Sequence, residues 1–439
     1  MKKRVLIIGA GDAGRKVVAE IRKEKHPGIV AVGFIDDDPK KRGKSVAGLP
    51  VVGAVADLPR LLKTHKVNQV LVSTPSVERE FIQRVTRAVP PGIDIKVLPS
   101  IASVIRGNVH LSFVRDINPS DLIGRPLVRG DQQRISKGAK GKTFLVTGGA
   151  GSIGSELVRQ LFATRAKRII IVDSWEEGIY HMTEELAESA YAGAPHVHAF
   201  VGSIRDKQRM NEILARFKVD VVLHAAAYKH VPLMETNAGE AQKTNVTGTK
   251  NMLDLALKHG VKDFVLVSTD KAVNPKSVMG RSKRAAEMLV MRYAKKNPKR
   301  RFCAVRFGNV ANSSGSIIPK FLKQIRKRVP VTITDPSMTR YFMSIPEAAA
   351  LVLLSWILAK SGQILILDMG KPVNILDLAI NLIKMHGLEP HKDIVIREIG
   401  ARPGEKIHEE LSYDAQLVRP SRDKRIFIAE DMRTFGAKH

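Results

Sequence analysis

A chain of 439 residues is long enough for two or three domains, each with its own hydrophobic core. Its 44% hydrophobic and 26% charged residues are ordinary for a globular protein, and a single cysteine, Cys303, excludes an internal disulfide framework and suits a reducing cytoplasm. The formal charge of +29 fits nucleic acid, an anionic membrane face or anionic small substrates; aromatics at 5%, not interleaved with the basic clusters 295–301 and 323–328, argue against nucleic acid.

The first segment, RVLIIG-AGDAG-RKVVAEI (4–21), reads as strand, glycine turn and helix. The preceding MKKR has the positive flank of a signal peptide, but the apolar run meets glycines and Asp12, which indicates a strand and turn. Gly9, Gly11 and Gly14 have the G-x-G-x-x-G form, and Asp36–Asp38 follow the next strand, IVAVGFID. Strands QVLVST and IDIKVLP and helices DLPRLLKTH and VEREFIQRVTRAV complete a βαβ rhythm. Tight helix–strand packing needs the same glycines, so this domain, 1–125, is read either as nucleotide-binding or as structural and regulatory. A polar stretch rich in Gly, Pro and charge follows, with the linker set at 126–141.

The second domain, 142–439, restarts the pattern with TFLVTG-GAGSIG-SELVRQL. Gly148, Gly151 and Gly154 allow a tight turn, close approach of backbone N–H groups to a diphosphate, and close helix–strand packing; Ser152 and Ile153 open the helix whose positive end faces the phosphates. Asp173 ends the next strand, RIIIVD, at the distance expected of a carboxylate on the ribose 2′-hydroxyl, which favours NAD; Ser174 and nearby basic residues leave NADP open. Ser203 and Ile204, after VHAFVG, and Ala225, Ala226 and Ala227, after VDVVLHA, are further cofactor candidates at strand ends. Strands DFVLVS and RFCAVRFG follow, and the rhythm breaks near 312, where a smaller substrate lobe, mainly 312–439, begins. The apolar run 348–359 is too short to cross a bilayer and reads as a buried helix. The fold class expected is α/β, with two Rossmann-like, doubly wound parallel-sheet domains.

Residues 268–283 read STDKAVNPKSVMGRSK. Met279-Gly280-Arg281-Ser282-Lys283 resembles the Tyr-x-x-x-Lys helix of short-chain dehydrogenases with methionine in the tyrosine's place, and no tyrosine in the chain has a lysine four residues on. A thioether cannot donate a proton. Thr269, Asp270 and Lys271, at the carboxyl end of a strand, offer a hydroxyl, a carboxyl and an amine; they fit either displaced acid–base groups or a helix-capping turn.

That stretch, together with HAAAYKHVPLME (224–235), TDPSMTRYFMSIPEA (334–348), LDMGKPVNILDLA (367–379) and RPGEKIHEEL (402–411), resembles the polysaccharide-biosynthesis family of nucleotide-sugar 4,6-dehydratases, in the extended short-chain dehydrogenase superfamily. Larger members carry the same methionine. The resemblance implies a lyase with internally recycled NAD(P), acting on a UDP-sugar, with UDP-N-acetylglucosamine favoured. It implies Lys271 as base at sugar C5, Asp270 as acid for the departing 6-hydroxyl, Thr269 at the 4-hydroxyl and Lys283 at the nicotinamide ribose. Lys229 and His230 would lie near sugar or cofactor, and Asn309, Ser316, Arg340 and Arg402 at the substrate. It also implies a homo-oligomer, a dimer or larger. Here GNVANSSGSI (308–317) replaces the usual GNVLGSRGSV, with Ser314 in place of an arginine, so diphosphate or hexose recognition is expected to differ. Many members begin with membrane spans; none is expected here, and adherence of the basic surface to the anionic inner membrane face would replace them in a cytoplasmic protein. A 4-epimerase on the same scaffold and a non-catalytic NAD-sensing or membrane-surface protein are the competing readings.

Overall fold

The computed structural model describes residues 3–23, 28–73, 79–90, 92–98, 115–116, 129–313, 315–412 and 418–429. Ser314 and most of the stretch 99–128 therefore lie outside the described residues. The chain forms two compact units: Met1–Pro126 with Ile317–Pro336 and Asn374–Ile399, and Leu127–Ser316 with Ser337–Val373 and Gly400–His439. The lobe read at 312–439 is thus shared between them.

In the first unit, seven strands run in the order Ser45–Val46, Leu49–Gly53, Ile29–Ile35, Lys3–Ile8, Gln69–Val72, Asp94–Val97, Arg115–Asp116. The inner pairs are parallel and the outermost pair at each edge antiparallel. The continuous apolar runs of the central strands suit burial on both faces. Helix Asp12–Lys23 packs Val17, Val18 and Ile21 on Phe34 and Leu71. Helix Ile375–Met385 packs on helix Arg79–Ala88, with Arg87 and Asp377 paired at 3.4 Å.

The second unit holds the longer sheet, in the order His196–Val201, Arg168–Asp173, Thr143–Thr147, Val221–His224, Asp263–Val267, Arg301–Arg306, Ile364–Leu367, Ile426–Ala429, Val418–Pro420. The first seven strands are parallel and the last two antiparallel. One face buries Leu157, Val158, Met182 and the 345–358 helix; the other buries Met210, Met252, Leu253, Ala286 and Val290. The apolar run at 348–359 is the core helix expected, and its Trp356 donates to Asp263 Oδ2 at 2.9 Å. Among the described residues no helix is long and apolar enough to cross a membrane. The strand order reverses at Thr143–Thr147, which opens a crevice at the carboxyl ends of the strands, where ligands bind in open α/β sheets.

Candidate active site

The crevice is shaped by glycines. Gly148 has φ +67°, and a Cβ there would lie 2.6 Å from the Ala226 backbone nitrogen; the turn thus brings the 148 and 225–226 backbones together. A Cβ at Gly154 would lie 1.9 Å from Gly148 O, so only glycine lets the helix start this close to the strand. Gly151 is the N-cap of helix Ser152–Phe162, whose free N–H groups therefore open at the turn. Asp173 closes the other side: Oδ2 accepts from the Ala150 N–H at 3.0 Å and Oδ1 from the Trp175 N–H at 3.0 Å. A cradle that any Cβ would fill, beside a carboxylate at a strand end, fits a dinucleotide. Ser203 and Ile204 lie at the next strand end; Ile204 is buried and packs where a side chain on Gly248 would fall.

The first unit repeats the cradle. A Cβ at Gly14 would lie 2.1 Å from Gly9 O, and Asp36 Oδ2 accepts from the Ala10 N–H at 2.8 Å. There the carboxylate is also paired with Lys41 at 3.0 Å.

Further along the second sheet, Thr269, Asp270 and Lys271 leave strand Asp263–Val267 in a single 3-10 turn. Thr269 Oγ1 does cap that turn, accepting weakly from the Lys271 N–H at 3.3 Å, and it also donates to Asp270 Oδ1 at 2.8 Å. Lys271 Nζ donates to Asp270 Oδ1 at 3.1 Å and to Asn309 Oδ1 at 3.0 Å, and stands 3.5 Å from Glu409 Oε1. Burial pulls the Lys271 ammonium down, but Asp270 and Glu409 outweigh it and hold the group above its ordinary value. Asp270 Oδ2 and Glu409 Oε2 are both buried with no hydrogen-bond partner among the described residues. Two buried carboxyls with spare acceptor atoms thus surround one amine at the capped turn, an arrangement chemically able to move protons.

Beneath this turn lies a buried ion pair. Glu287 takes two bonds from Arg306, at 2.8 and 2.7 Å, and one from Ser268 Oγ at 2.6 Å. Both charged side chains are fully buried, so the pair pins the start of the 268–271 turn to helix and sheet together. Met279 points away from acid–base duty, into a small apolar cluster with Met234 and Ala241. Lys283, one helical turn on, donates to Val267 O at 2.7 Å, and burial lowers it to about 8, with Glu287 opposing the shift.

Residues 144–431 match the family described as "Polysaccharide biosynthesis protein". The chain belongs to that family. The resemblance read from the motifs is thereby borne out, and so is the fold class. Residues 1–90 match a second family, described as "CoA-binding domain". The chain is 44% identical over 409 residues to the probable polysaccharide biosynthesis protein EpsC of Bacillus subtilis, covering 93% of this chain and 68% of that one. It is 36% identical over 273 residues to a UDP-N-acetylglucosamine 4,6-dehydratase (inverting) of Campylobacter jejuni, covering 61% and 76%. Among solved structures, Pen from Bacillus thuringiensis superposes with a TM-score of 0.60 at 31% identity, covering 66% of this chain and 90% of that one.

Lys229 and His230 are exposed, and a Cβ on Gly315 would lie 2.4 Å from the His230 ring, so Gly315 lies against it. Ser316 Oγ is buried without a hydrogen-bond partner among the described residues. Arg402 is exposed. Arg340 is buried, and its guanidinium donates to the carbonyls of Thr339, Ile407 and Lys406 at 2.7–2.9 Å. In this geometry it holds the 402–411 segment rather than facing outward. Asn309, expected at the substrate, has its amide oxygen on Lys271.

Sequence reasoning missed Glu409, Glu287 and Asn245. Asn245 lies on a π-helical stretch, Gln242–Gly248, and ties Ser282 Oγ to the Tyr228 backbone through bonds of 2.8–2.9 Å. Glu409 stands in a quoted motif with two other glutamates, and spacing alone does not say which one turns inward.

Proposed function

We propose that this protein removes water across C5 and C6 of a UDP-N-acetylhexosamine, UDP-N-acetylglucosamine favoured, giving a 4-keto-6-deoxy sugar nucleotide for polysaccharide or glycan assembly. The observation that carries the reading is the Lys271 amine bracketed by Asp270, Asn309 and Glu409 at a strand end, with an apolar methionine at the tyrosine position. The relatives' described activity supports the substrate class.

Gly148, Gly151, Gly154, Ser152, Ile153, Asp173, the 225–227 backbone and Lys283 are the residues that would hold a nicotinamide dinucleotide. NAD is favoured because Asp173 would repel a 2′-phosphate. Bound there, it supplies the oxidation at C4 and the reduction at C6, so none is consumed.

The protein's own task is proton traffic. As C4 is oxidised, its hydroxyl proton passes to Thr269 Oγ1 while the proton already shared with Asp270 Oδ1 moves onto the carboxylate. The 4-keto group acidifies C5–H. Lys271, as the free amine, takes that proton; the C–H electron pair becomes the C5–C6 double bond and the C6–O bond breaks, with Asp270 delivering its proton to the leaving oxygen. After reduction at C6, a proton returns to C5. The sum is the loss of one water.

Incubation with UDP-N-acetylglucosamine in heavy water, without added reductant, tests this. A product lighter by one water and carrying deuterium at C5 is expected. Unchanged mass with inversion at C4 would make the protein an epimerase, and no change at all would remove the enzymatic reading.

A further inference from the structure

In the folded chain Lys271 is poised for the opposite of its proposed role. A base at C5 must be a neutral amine, yet Asp270 at 3.1 Å and Glu409 at 3.5 Å hold it as an ammonium against the pull of burial. Its proton must therefore leave before the C5–H bond can break. Among the described residues three groups touch the amine. Asn309 presents an amide oxygen, which is not a base in water-like conditions. Asp270 is already committed: it receives the C4 proton through Thr269 and spends it on the departing oxygen. Glu409 remains.

Its placement suits the task. The side chain is buried, Oε1 faces Lys271, and Oε2 has no hydrogen-bond partner among the described residues. A proton on this carboxyl displaces no existing bond. Arg340 stands 3.8 Å from Oε1 and bonds the carbonyls of Lys406 and Ile407, just before it, while Lys406 Nζ donates to Val273 O at 2.9 Å. These contacts bind the 402–411 segment to the active-site turn. The timing also follows from the charges. Once Asp270 has taken the C4 proton, Lys271 has lost one of its two carboxylates, and its hold on its own proton weakens at the moment the 4-keto group forms.

We infer that Glu409 accepts the proton of Lys271 after C4 oxidation, turning it into the base for C5, and gives that proton back when C5 has been reprotonated. The ammonium N–H bond breaks as the Glu409 O–H bond forms, leaving neutral amine beside neutral acid. The amine then takes the C5 proton and later returns it, and Glu409 restores the ammonium. No proton is gained or lost, and no co-reactant is needed. Glu409 acts through Lys271 and is a positioning and proton-storing group. The inference rests on the dehydratase reading above.

The test uses the full chain with its cofactor in single-turnover reactions with UDP-N-acetylglucosamine in heavy water, followed by mass spectrometry. Glu409→Gln is expected to accumulate a 4-keto sugar that still retains O6 and carries no deuterium at C5, with water loss slowed about 100-fold or more. Glu409→Asp, still an acid, is expected to recover part of the dehydration rate. In the cofactor-free protein, the pH dependence of Lys271 acylation is expected to move to lower pH in Glu409→Gln, because the ammonium has lost a carboxylate. Dehydration by Glu409→Gln within about threefold of the unmodified protein overturns the inference, as does parallel loss of both 4-keto formation and water loss. If Glu409→Gln fails to bind cofactor, Glu409→Asp decides: slowing confined to water loss supports the inference, and equal slowing of both stages overturns it. If the unmodified protein neither loses water nor exchanges C5, the dehydratase reading itself has failed and this inference falls with it.

Discussion

Replacing Gly280 with alanine sets helix propensity against active-site geometry. Gly280 lies in the first turn of helix Val278–Lys296, where alanine would ordinarily add about 1 kcal/mol of stability. Here a Cβ would lie 2.4 Å from Lys271 O, 3.1 Å from Ser277 Oγ and 3.2 Å from Pro275 Cβ. Ordinary contact begins at 3.4 Å, so helix and turn must separate by 3.4 − 2.4 = 1.0 Å. Neither side gives easily. The helix start is capped by Ser277 Oγ on the Gly280 N–H at 3.0 Å and by Glu235 Oε1 on the Val278 N–H at 2.8 Å. The turn is tied to the neighbouring strand by Ser268 N to Val305 O at 2.7 Å and Asp270 N to Phe307 O at 3.1 Å. The displacement therefore falls on the Lys271 backbone and moves its amine relative to Asn309 and Glu409. A misplacement of about 1 Å costs about 100-fold in rate, or about 2.7 kcal/mol in the barrier. Gly280→Ala should fold and bind NAD like the parent while its rate of UDP-N-acetylglucosamine dehydration, followed by proton NMR, falls about 100-fold. A rate within about threefold of the parent, with unchanged unfolding temperature, would refute the claim that this glycine sets the position of the lysine.

At Gly154, alanine would force a Cβ to 1.9 Å from Gly148 O and open the glycine turn, so NAD affinity measured by calorimetry should fall at least about tenfold; unchanged affinity would mean the dinucleotide lies elsewhere. Glu287→Gln takes the carboxylate from a fully buried arginine and should cost about 3–5 kcal/mol in denaturant unfolding, whereas Glu287→Leu combined with Arg306→Leu should recover most of that loss. Lys283 titrates at about 8 in the folded chain against an ordinary 10.5. Between those values the unfolded chain binds more protons, so stability should rise with pH across that window. Lys283→Met should abolish this rise and gain stability near neutral pH, a gain of about 3 kcal/mol at most, at the expense of cofactor binding. A flat difference between the two proteins from pH 7 to about 10 would show that the burial of Lys283 carries no such penalty.

The sheets were legible because their evidence is local. Runs such as RIIIVD and TFLVTG, each followed by glycines or an acid, announce strand and turn within a few residues, and the parallel order follows from the alternation with helices. The glycine turn was legible for the same reason, since Gly148, Gly154 and Asp173 lie within one βαβ unit. The trio 269–271 could be named, but whether it caps or catalyses depended on what stood opposite. What stands opposite is Asn309 and Glu409, far along the chain, and no periodicity links them to Lys271. Arg340 shows the converse. An arginine inside a motif suggests an anion site, but its donors are taken up by the carbonyls of a distant segment, a pairing that only tertiary structure displays. Glu287 was hidden for a similar reason: it is the single carboxylate on a basic helix, and nothing in the sequence shows that it turns inward to Arg306 rather than pairing with its own helix's basic residues.

The segment that carries Glu409 follows every parallel strand of the second sheet in chain order. A nascent chain can consequently lay down the parallel sheet and its glycine turn while the amine at 271 has Asp270 and Asn309 beside it but not yet Glu409. On the reading proposed above, chemical competence is then the last property acquired during synthesis, since Glu409 arrives only with the 402–411 segment.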